Sequence, residues 1–201
     1  DLERGDYICY SFQAIKFLTT GDGGILVCPP ETENEARTLR WYGLDRTKNE
    51  SFRCIQDITK VGFKYHMNDI NAAIGLAQIK KYKSVLLPER EQIFLKYNSV
   101  LSQYSWAILP TFTVNNRKSS CHLYQLRIEG FEEQQRDELI SRLASIDIGV
   151  NVHYIPLPML SYFKSIGLDI KDFPSSYNLY KNEISLPIYN DLSLESVEYV
   201  A

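Results

Sequence analysis

Lys16 lies within the run Ser11-Phe12-Gln13-Ala14-Ile15-Lys16-Phe17-Leu18-Thr19-Thr20-Gly21-Asp22-Gly23-Gly24, between the apolar segments Tyr7–Tyr10 and Ile25–Cys28. Both flanking segments read as buried strands. A lysine so placed is open to two readings. It is a solvated charge on a connection, or it is an amine held in a pocket, where desolvation lowers its pKa and makes it a nucleophile toward carbonyls. Gly21, Gly23 and Gly24 permit positive φ and close backbone approach, as a tight return beside a ligand requires. Ser11, Thr19 and Thr20 carry hydroxyls able to donate to phosphate oxygens. This composition favours the pocket, but spacing alone leaves both readings open, because glycine-rich strand returns are common.

The elements that must position this loop follow it in the chain. Pro29-Pro30 breaks structure, and Glu31-Thr32-Glu33 opens a helix whose first-turn acids suit the helix dipole. Ala36, Leu39 and Arg40 continue that helix, and Gly43 is placed to stop it. Residues 47–60 are polar and mixed, an exposed loop able to cover a neighbouring subunit or a substrate. In Val61–Gln78, Asn68 is a good N-cap, and Ile70, Ala73, Ile74 and Ala77 fall on one helical face. The small residues Ala73, Gly75 and Ala77 suit close packing. Taken by itself, this stretch is a buried helix after an aromatic loop. Lys80-Lys81-Tyr82-Lys83 reads as a solvated helix face. Pro88 restarts a helix at a first-turn position, with Ile93, Tyr97, Val100 and Leu101 inward, and a domain boundary falls near residue 87.

The remainder alternates in the manner of a small α/β domain. Strands are expected at Trp106–Leu109, Cys121–Ile128 and Ile148–Tyr154, with a helix over 132–145 that turns Leu139, Ile140 and Leu143 inward. His122 and His153 read plainly as core or strand-edge histidines. With 44% hydrophobic and 23% charged residues, the 201-residue chain has ordinary globular composition. A formal net charge of −3 gives no electrostatic reason to expect nucleic acid. There is no uninterrupted apolar run of about 20 residues and no signal-peptide pattern. Cys9, Cys28, Cys54 and Cys121 are scattered and read as reduced thiols of a cytoplasmic protein. Three histidines without metal-ligand spacing argue against a zinc site. Both ends look cut. The first residues enter a strand with nothing before it to pair with, and Ser193 caps a helix that stops within about two turns.

The lysine run resembles the active-site signature of the nucleotide-sugar aminotransferases, the DegT/StrS-like family of pyridoxal-phosphate fold type I. There the pattern is Ser-Phe, three residues, Lys, then Leu-Thr-Thr-Gly-Glu/Asp-Gly-Gly. Arg40–Arg46 resembles the arginine-and-glycine segment that follows it. Gly62-Phe63-Lys64-Tyr65-His66-Met67 resembles the family's Gly-aromatic-Asn/Lys-Tyr-x-Met loop, His153-Tyr154-Ile155-Pro156 its strand-end motif, and Ser185-Leu186-Pro187 its closing segment. The resemblance runs from about Tyr10 to the C-terminus and is densest at 11–24 and 61–78.

This resemblance implies an α/β chain that is the C-terminal part of a fold type I transferase. Residues 1–87 would be the end of the large cofactor-binding domain, with the lysine loop and a dimer-interface helix. Residues 88–201 would be the small C-terminal α/β domain. It also implies pyridoxal 5'-phosphate as cofactor, bonded by Lys16, with Lys16 also moving the proton during amino transfer. Ser11 would bind the phosphate, and Lys64 would reach it from the other subunit of a homodimer, where many members carry Asn. A lysine can serve there as a point charge. His153 and Tyr154 would face substrate, although the family often has a second histidine where this chain has Pro158. The donor would be an amino acid, glutamate by resemblance, and the acceptor a nucleotide-linked keto sugar. The family's phosphate-binding helix start, ring-stacking residue and pyridinium carboxylate lie upstream of the position of Asp1. Two alternatives stand beside this one. A sugar dehydratase using the same cofactor would replace the lysine with histidine, which Lys16 argues against. A catalytically silent α/β domain would keep the loop to bind a partner or a phosphate ligand.

Overall fold

The structure, a computed structural model, describes residues 5–47, 55 and 57–201. Part of the polar segment 47–60, including Cys54, therefore lies outside the described residues. The chain divides into two compact units, Asp1–Tyr82 and Lys83–Ala201.

In the first unit, β1 (Ile8–Ser11) pairs antiparallel with β2 (Gly24–Val27). Ser11 stands opposite Gly24, so the lysine run forms the connection between the two strands. A 3₁₀ turn at Pro30–Thr32 leads into α1 (Glu33–Leu39), with Glu33 and Glu35 in its first turn. Helix α2 (Asp69–Lys81) begins at Asn68, whose side chain accepts from the Asn71 amide at 2.9 Å. Lys80 and Lys81 occupy its last turn, where positive charge suits the dipole.

Two expectations for this unit fail. Both strands are largely exposed rather than buried, and among the described residues they pair only with each other. The apolar face of α2 is also bare, with Ile70 75% and Ile74 43% exposed. The packed face is a different one, carrying Asn71, Gly75 and Gln78. Among the described residues, the buried hydrophobic core belongs entirely to the second unit.

That core begins on α3 (Leu87–Leu101), which follows a single π turn at Tyr82–Leu86 and has Pro88 in its first turn. Ile93, Phe94, Tyr97 and Leu101 point inward onto a three-stranded antiparallel sheet. Its order is β3 (Ala107–Ile108), β6 (Tyr124–Ile128), β7 (Glu183–Leu186). Between β3 and β6 a small hairpin pairs β4 (Thr113–Val114) with β5 (Arg117–Lys118). On β6, residues 124, 126 and 128 are buried and 125 and 127 are half-buried, the alternation of a strand packed mainly on one face. Phe94 meets Tyr124 edge-on at 4.9 Å, and Tyr97 lies 4.7 Å from the same ring. The two buried hydroxyls are satisfied, Tyr97 donating to Pro187 O at 2.9 Å and Tyr124 to Asn98 Oδ1 at 2.8 Å. Helices α4 (Glu133–Ala144), α5 (Ser161–Ser165), α6 (Pro174–Tyr180) and α7 (Leu194–Val200) complete the unit, with Val197 of α7 in the core.

The strand expected at Ile148–Tyr154 is absent. One bridge joins Asn151 to Ser185, but the next available amide, that of His153, donates to the Glu183 carboxylate at 2.8 Å. Tyr154 then turns to φ +65°, which ends any extension. The strand expected from Cys121 starts later, at Tyr124, because Cys121 itself has φ +54°.

Leu101 is fully buried in this core while Leu95, on the same helix, is exposed. Leu101→Ala is expected to cost about 2–5 kcal/mol of stability, and Leu95→Ala within about 0.5 kcal/mol of none. Urea unfolding measures both, and equal losses would contradict the assigned helix face.

Candidate active site

The loop that carries Lys16 is closed at its neck by backbone. The Phe12 carbonyl accepts from the Thr20 amide at 2.9 Å and from Thr19 Oγ1 at 3.0 Å, and the Phe12 amide donates to Gly23 O at 2.9 Å. Inside the neck, the Lys16 amide donates to Gln13 O at 2.8 Å, making the turn on which the lysine sits. Gly21 and Gly23 take positive φ (+84° and +109°), and a side chain on Gly24 would collide with Tyr10 O. The glycines therefore do what the return requires.

The threonine hydroxyls are not left as phosphate donors. Thr19 Oγ1 donates to Phe12 O and accepts from the Gly21 amide, and Thr20 Oγ1 donates to Asp22 O. Both hydroxyl protons are spent inside the loop, which removes them as phosphate donors. Ser11 differs. Its Oγ accepts a bond from the Gln13 amide at 3.3 Å, which leaves the hydroxyl proton free to donate. Lys16 is half-buried, and among the described residues no hydrogen bond or ion pair engages its amine.

Helix α2 grips this loop along one stripe. Asn71 Nδ2 donates to Thr20 O at 2.8 Å and to Asp22 O at 3.3 Å. One turn on, Gly75 faces Thr20 so closely that an added Cβ would lie 2.8 Å from the threonine methyl. Next, Gln78 Oε1 accepts the Thr19 amide at 3.0 Å. Tyr82, directly after the helix, packs its ring 5.3 Å from that of Phe17, the neighbour of Lys16. Spacings of four, three and four residues put these groups on one side of the helix. Thr20 is consequently only 2% exposed.

Lys64 is held elsewhere in the same unit. Segments 39–44 and 58–65 cross, with isolated bridges Trp41–Lys64 and Leu44–Ile58, and Phe63 donates to Leu39 O at 2.7 Å. The Lys64 ammonium lies 3.9 Å from the centroid of the Trp41 ring, and Arg46 stacks 4.3 Å from it. Indole is the strongest of the aromatic faces for a cation. His66 meets the same ring edge-on at 4.1 Å, and its Nδ1 is buried without a partner among the described residues. No hydrogen bond or ring contact joins Lys64 to Ser11 or Lys16 among the described residues.

His153 and Tyr154 belong to the second unit, exposed and adjacent, with ring centroids 5.3 Å apart. The buried Glu183 holds the backbone at His153, accepting its amide with one oxygen and the Ser185 hydroxyl at 2.7 Å with the other. Among the described residues, no group of three or more His, Cys, Asp or Glu side chains could hold a metal ion, and no helix is long and apolar enough to cross a membrane.

The profile of the DegT/DnrJ/EryC1/StrS aminotransferase family matches residues 3–201. The chain belongs to this family. Spore coat polysaccharide biosynthesis protein SpsC of Bacillus subtilis is 32% identical over 206 residues, which cover 98% of this chain and 52% of SpsC. The UDP-4-amino-4,6-dideoxy-N-acetyl-beta-L-altrosamine transaminase of Campylobacter jejuni is 28% identical over 98% of this chain and 51% of its own length. Among solved structures, apo-form Spr1654 of Streptococcus pneumoniae superposes with TM-score 0.89 at 35% identity, covering 98% of this chain and 50% of that one. Spr1654 has also been solved in PLP- and PMP-forms, and the family is one of pyridoxal-phosphate-dependent enzymes. The chain spans about half the length of the curated relatives it matches.

In this family member, sequence reasoning located the loop and overlooked the side chains that hold it. Asn71 and Gln78, two amides seven residues apart with Gly75 between them, were the available signal.

His66 carries a pH signature. Burial against Trp41 lowers its pKa from the ordinary 6.5, and repulsion from Lys64, Arg40 and Arg46 adds to the effect. The folded state then binds fewer protons than the unfolded state just below pH 6.5, so stability falls as pH drops through that value toward the folded pKa. Unfolding followed between about pH 7.5 and 5.5 should show this slope, and His66→Phe should flatten it. An unchanged slope in the variant would assign the effect to other groups.

Proposed function

We propose that this chain is the lysine-bearing part of a pyridoxal-phosphate-dependent aminotransferase. Its reaction would move an amino group from an amino acid, glutamate in our reading, to a nucleotide-linked keto sugar. The observation that carries this reading is the unengaged Lys16 amine, presented on a loop whose threonine hydroxyls are all turned inward. Family membership and the likeness to Spr1654 support it.

The residues present fit the cofactor. Lys16 Nζ is the nucleophile that would bond it, and Ser11 has a hydroxyl proton left to donate to its phosphate. Once bound, the cofactor would supply an electron sink for the carbanion formed at the donor's α-carbon. Lys16 Nζ, displaced by the donor, would take the proton from the donor's α-carbon and deliver it to the cofactor's aldehyde carbon rather than back to the donor. Lys64, whose ammonium lies over the Trp41 ring, would donate to a phosphate as a point charge from the other subunit of a homodimer. His153, whose amide is held by Glu183, and its neighbour Tyr154 would contact substrate. Synthesis of a surface polysaccharide in the cytoplasm is the setting this chemistry suggests. Lys16 argues against the dehydratase alternative. The silent-domain alternative predicts no turnover at all.

The experiment is an amino-transfer assay on protein carrying this chain, with isotopically labelled glutamate and nucleotide-linked keto sugars, read by mass spectrometry. Labelled amino sugar and 2-oxoglutarate should appear together, and Lys16→Ala should lower the rate by at least about 10²–10⁴-fold. Transfer that survives Lys16→Ala would overturn the assignment of the lysine. Absence of transfer to any nucleotide-linked keto sugar would overturn the acceptor.

A further inference from the structure

The stripe on α2 has a consequence for the lysine itself. A long, unengaged lysine side chain is useful only if its backbone is held still, because each freely rotating bond beneath the amine multiplies the positions it samples. The Lys16 loop lies in a unit with few internal restraints, since no large apolar side chain is buried there among the described residues. The loop's neck bonds close it on itself but do not fix it to anything else. The outside restraints come from α2, as the Asn71 bonds, the Gly75 contact, the Gln78 bond and the Tyr82 ring.

We propose that Asn71 and Gln78 are positioning residues for Lys16. By gripping Thr19, Thr20 and Asp22 they hold the loop so that the Lys16 amine meets an aldehyde in one orientation. Each bond has a distinct part. Gln78 uses an acceptor, Oε1, on the Thr19 amide, so any residue with an oxygen at that place should substitute for it. Asn71 uses its donor, Nδ2, on two carbonyls, so it needs the amide nitrogen. The α2 N-cap uses the Asn71 backbone amide rather than its side chain, so replacing the side chain leaves the cap bond in place. Gln and Leu have similar helix propensity, so Gln78→Leu removes the acceptor with little effect on the helix.

The inference rests on Lys16 being the cofactor-bonding lysine, and two measurements on the intact chain separate it from that reading. The first is amide hydrogen exchange without cofactor. Gln78→Leu and Asn71→Ala should speed exchange at Thr19–Gly23 by roughly two- to tenfold, while α2 amides and the melting curve stay as in the wild type. Gln78→Glu, which keeps the oxygen, should leave exchange unchanged. The second is borohydride trapping with pyridoxal phosphate and peptide mapping, taking exposed Lys80 and Lys81 as internal references. The wild type should label Lys16 in preference to both, Gln78→Leu should lose most of that preference, and Gln78→Glu should keep it. Unchanged exchange in Gln78→Leu and Asn71→Ala would overturn the clamp. Faster exchange with an undiminished Lys16 preference would overturn its positioning role. A wild type with no Lys16 preference would instead sink the cofactor reading of Lys16, and the exchange result would still decide the clamp.

Discussion

The lysine loop depends on one contact line, where a small and polar face of a helix meets it. An isolated loop of this length costs conformational entropy to close and gains little from its own hydrogen bonds in water. Here the cost is offset by placing donors and acceptors of the loop against fixed partners on α2, with Gly75 allowing the close approach. The grip matches the neck of the loop rather than its tip. Thr19 and Thr20 bond both to Phe12 across the neck and to α2 behind it, so the neck and the grip share residues. Left without an acceptor among the described residues of the loop are the amine of Lys16 and the hydroxyl proton of Ser11.

The two units are stabilised by different means. The second has a conventional core, with α3 and the β3–β6–β7 sheet enclosing aromatic rings whose hydroxyls are all satisfied. Buried Arg90 joins the polar edge of that core, donating to Asn190 Oδ1 at 3.2 Å and to His122 O at 3.0 Å, while Asn190 donates in turn to Leu86 O at 2.9 Å. The first unit holds together through hydrogen bonds, ring contacts and close backbone crossings, while Ile70, Leu76 and Val61 stay exposed. An apolar helix face left bare in this way is the kind of surface that docking to other protein covers.

Much of the site was legible in the sequence, and the reasons for the rest are physical. The glycines of the loop and the Asn68 cap announced themselves because their roles are local, set by φ and by one side-chain bond. Apolar periodicity put Ile70, Ala73, Ile74 and Ala77 on one face of α2, but it identifies the apolar side and not the side in contact. In this unit contact is made through amides, which carry no periodic hydrophobic signal. Thr19 and Thr20 had the chemistry of phosphate donors, yet backbone carbonyls within three residues or across the neck claimed their protons first. The strand expected at 148–154 failed for a related reason, because a buried carboxylate on β7 took the His153 amide.

The central claim is that the fold holds Lys16 as the one amine that bonds pyridoxal phosphate. The most direct measurement is the visible absorbance of the cofactor as it is titrated with the protein, compared with Lys16→Arg. Arginine keeps the positive charge but stays protonated and cannot make the bond. A saturable shift of the cofactor band in the wild type, abolished in Lys16→Arg, is the predicted result. The same shift in both proteins would contradict the account.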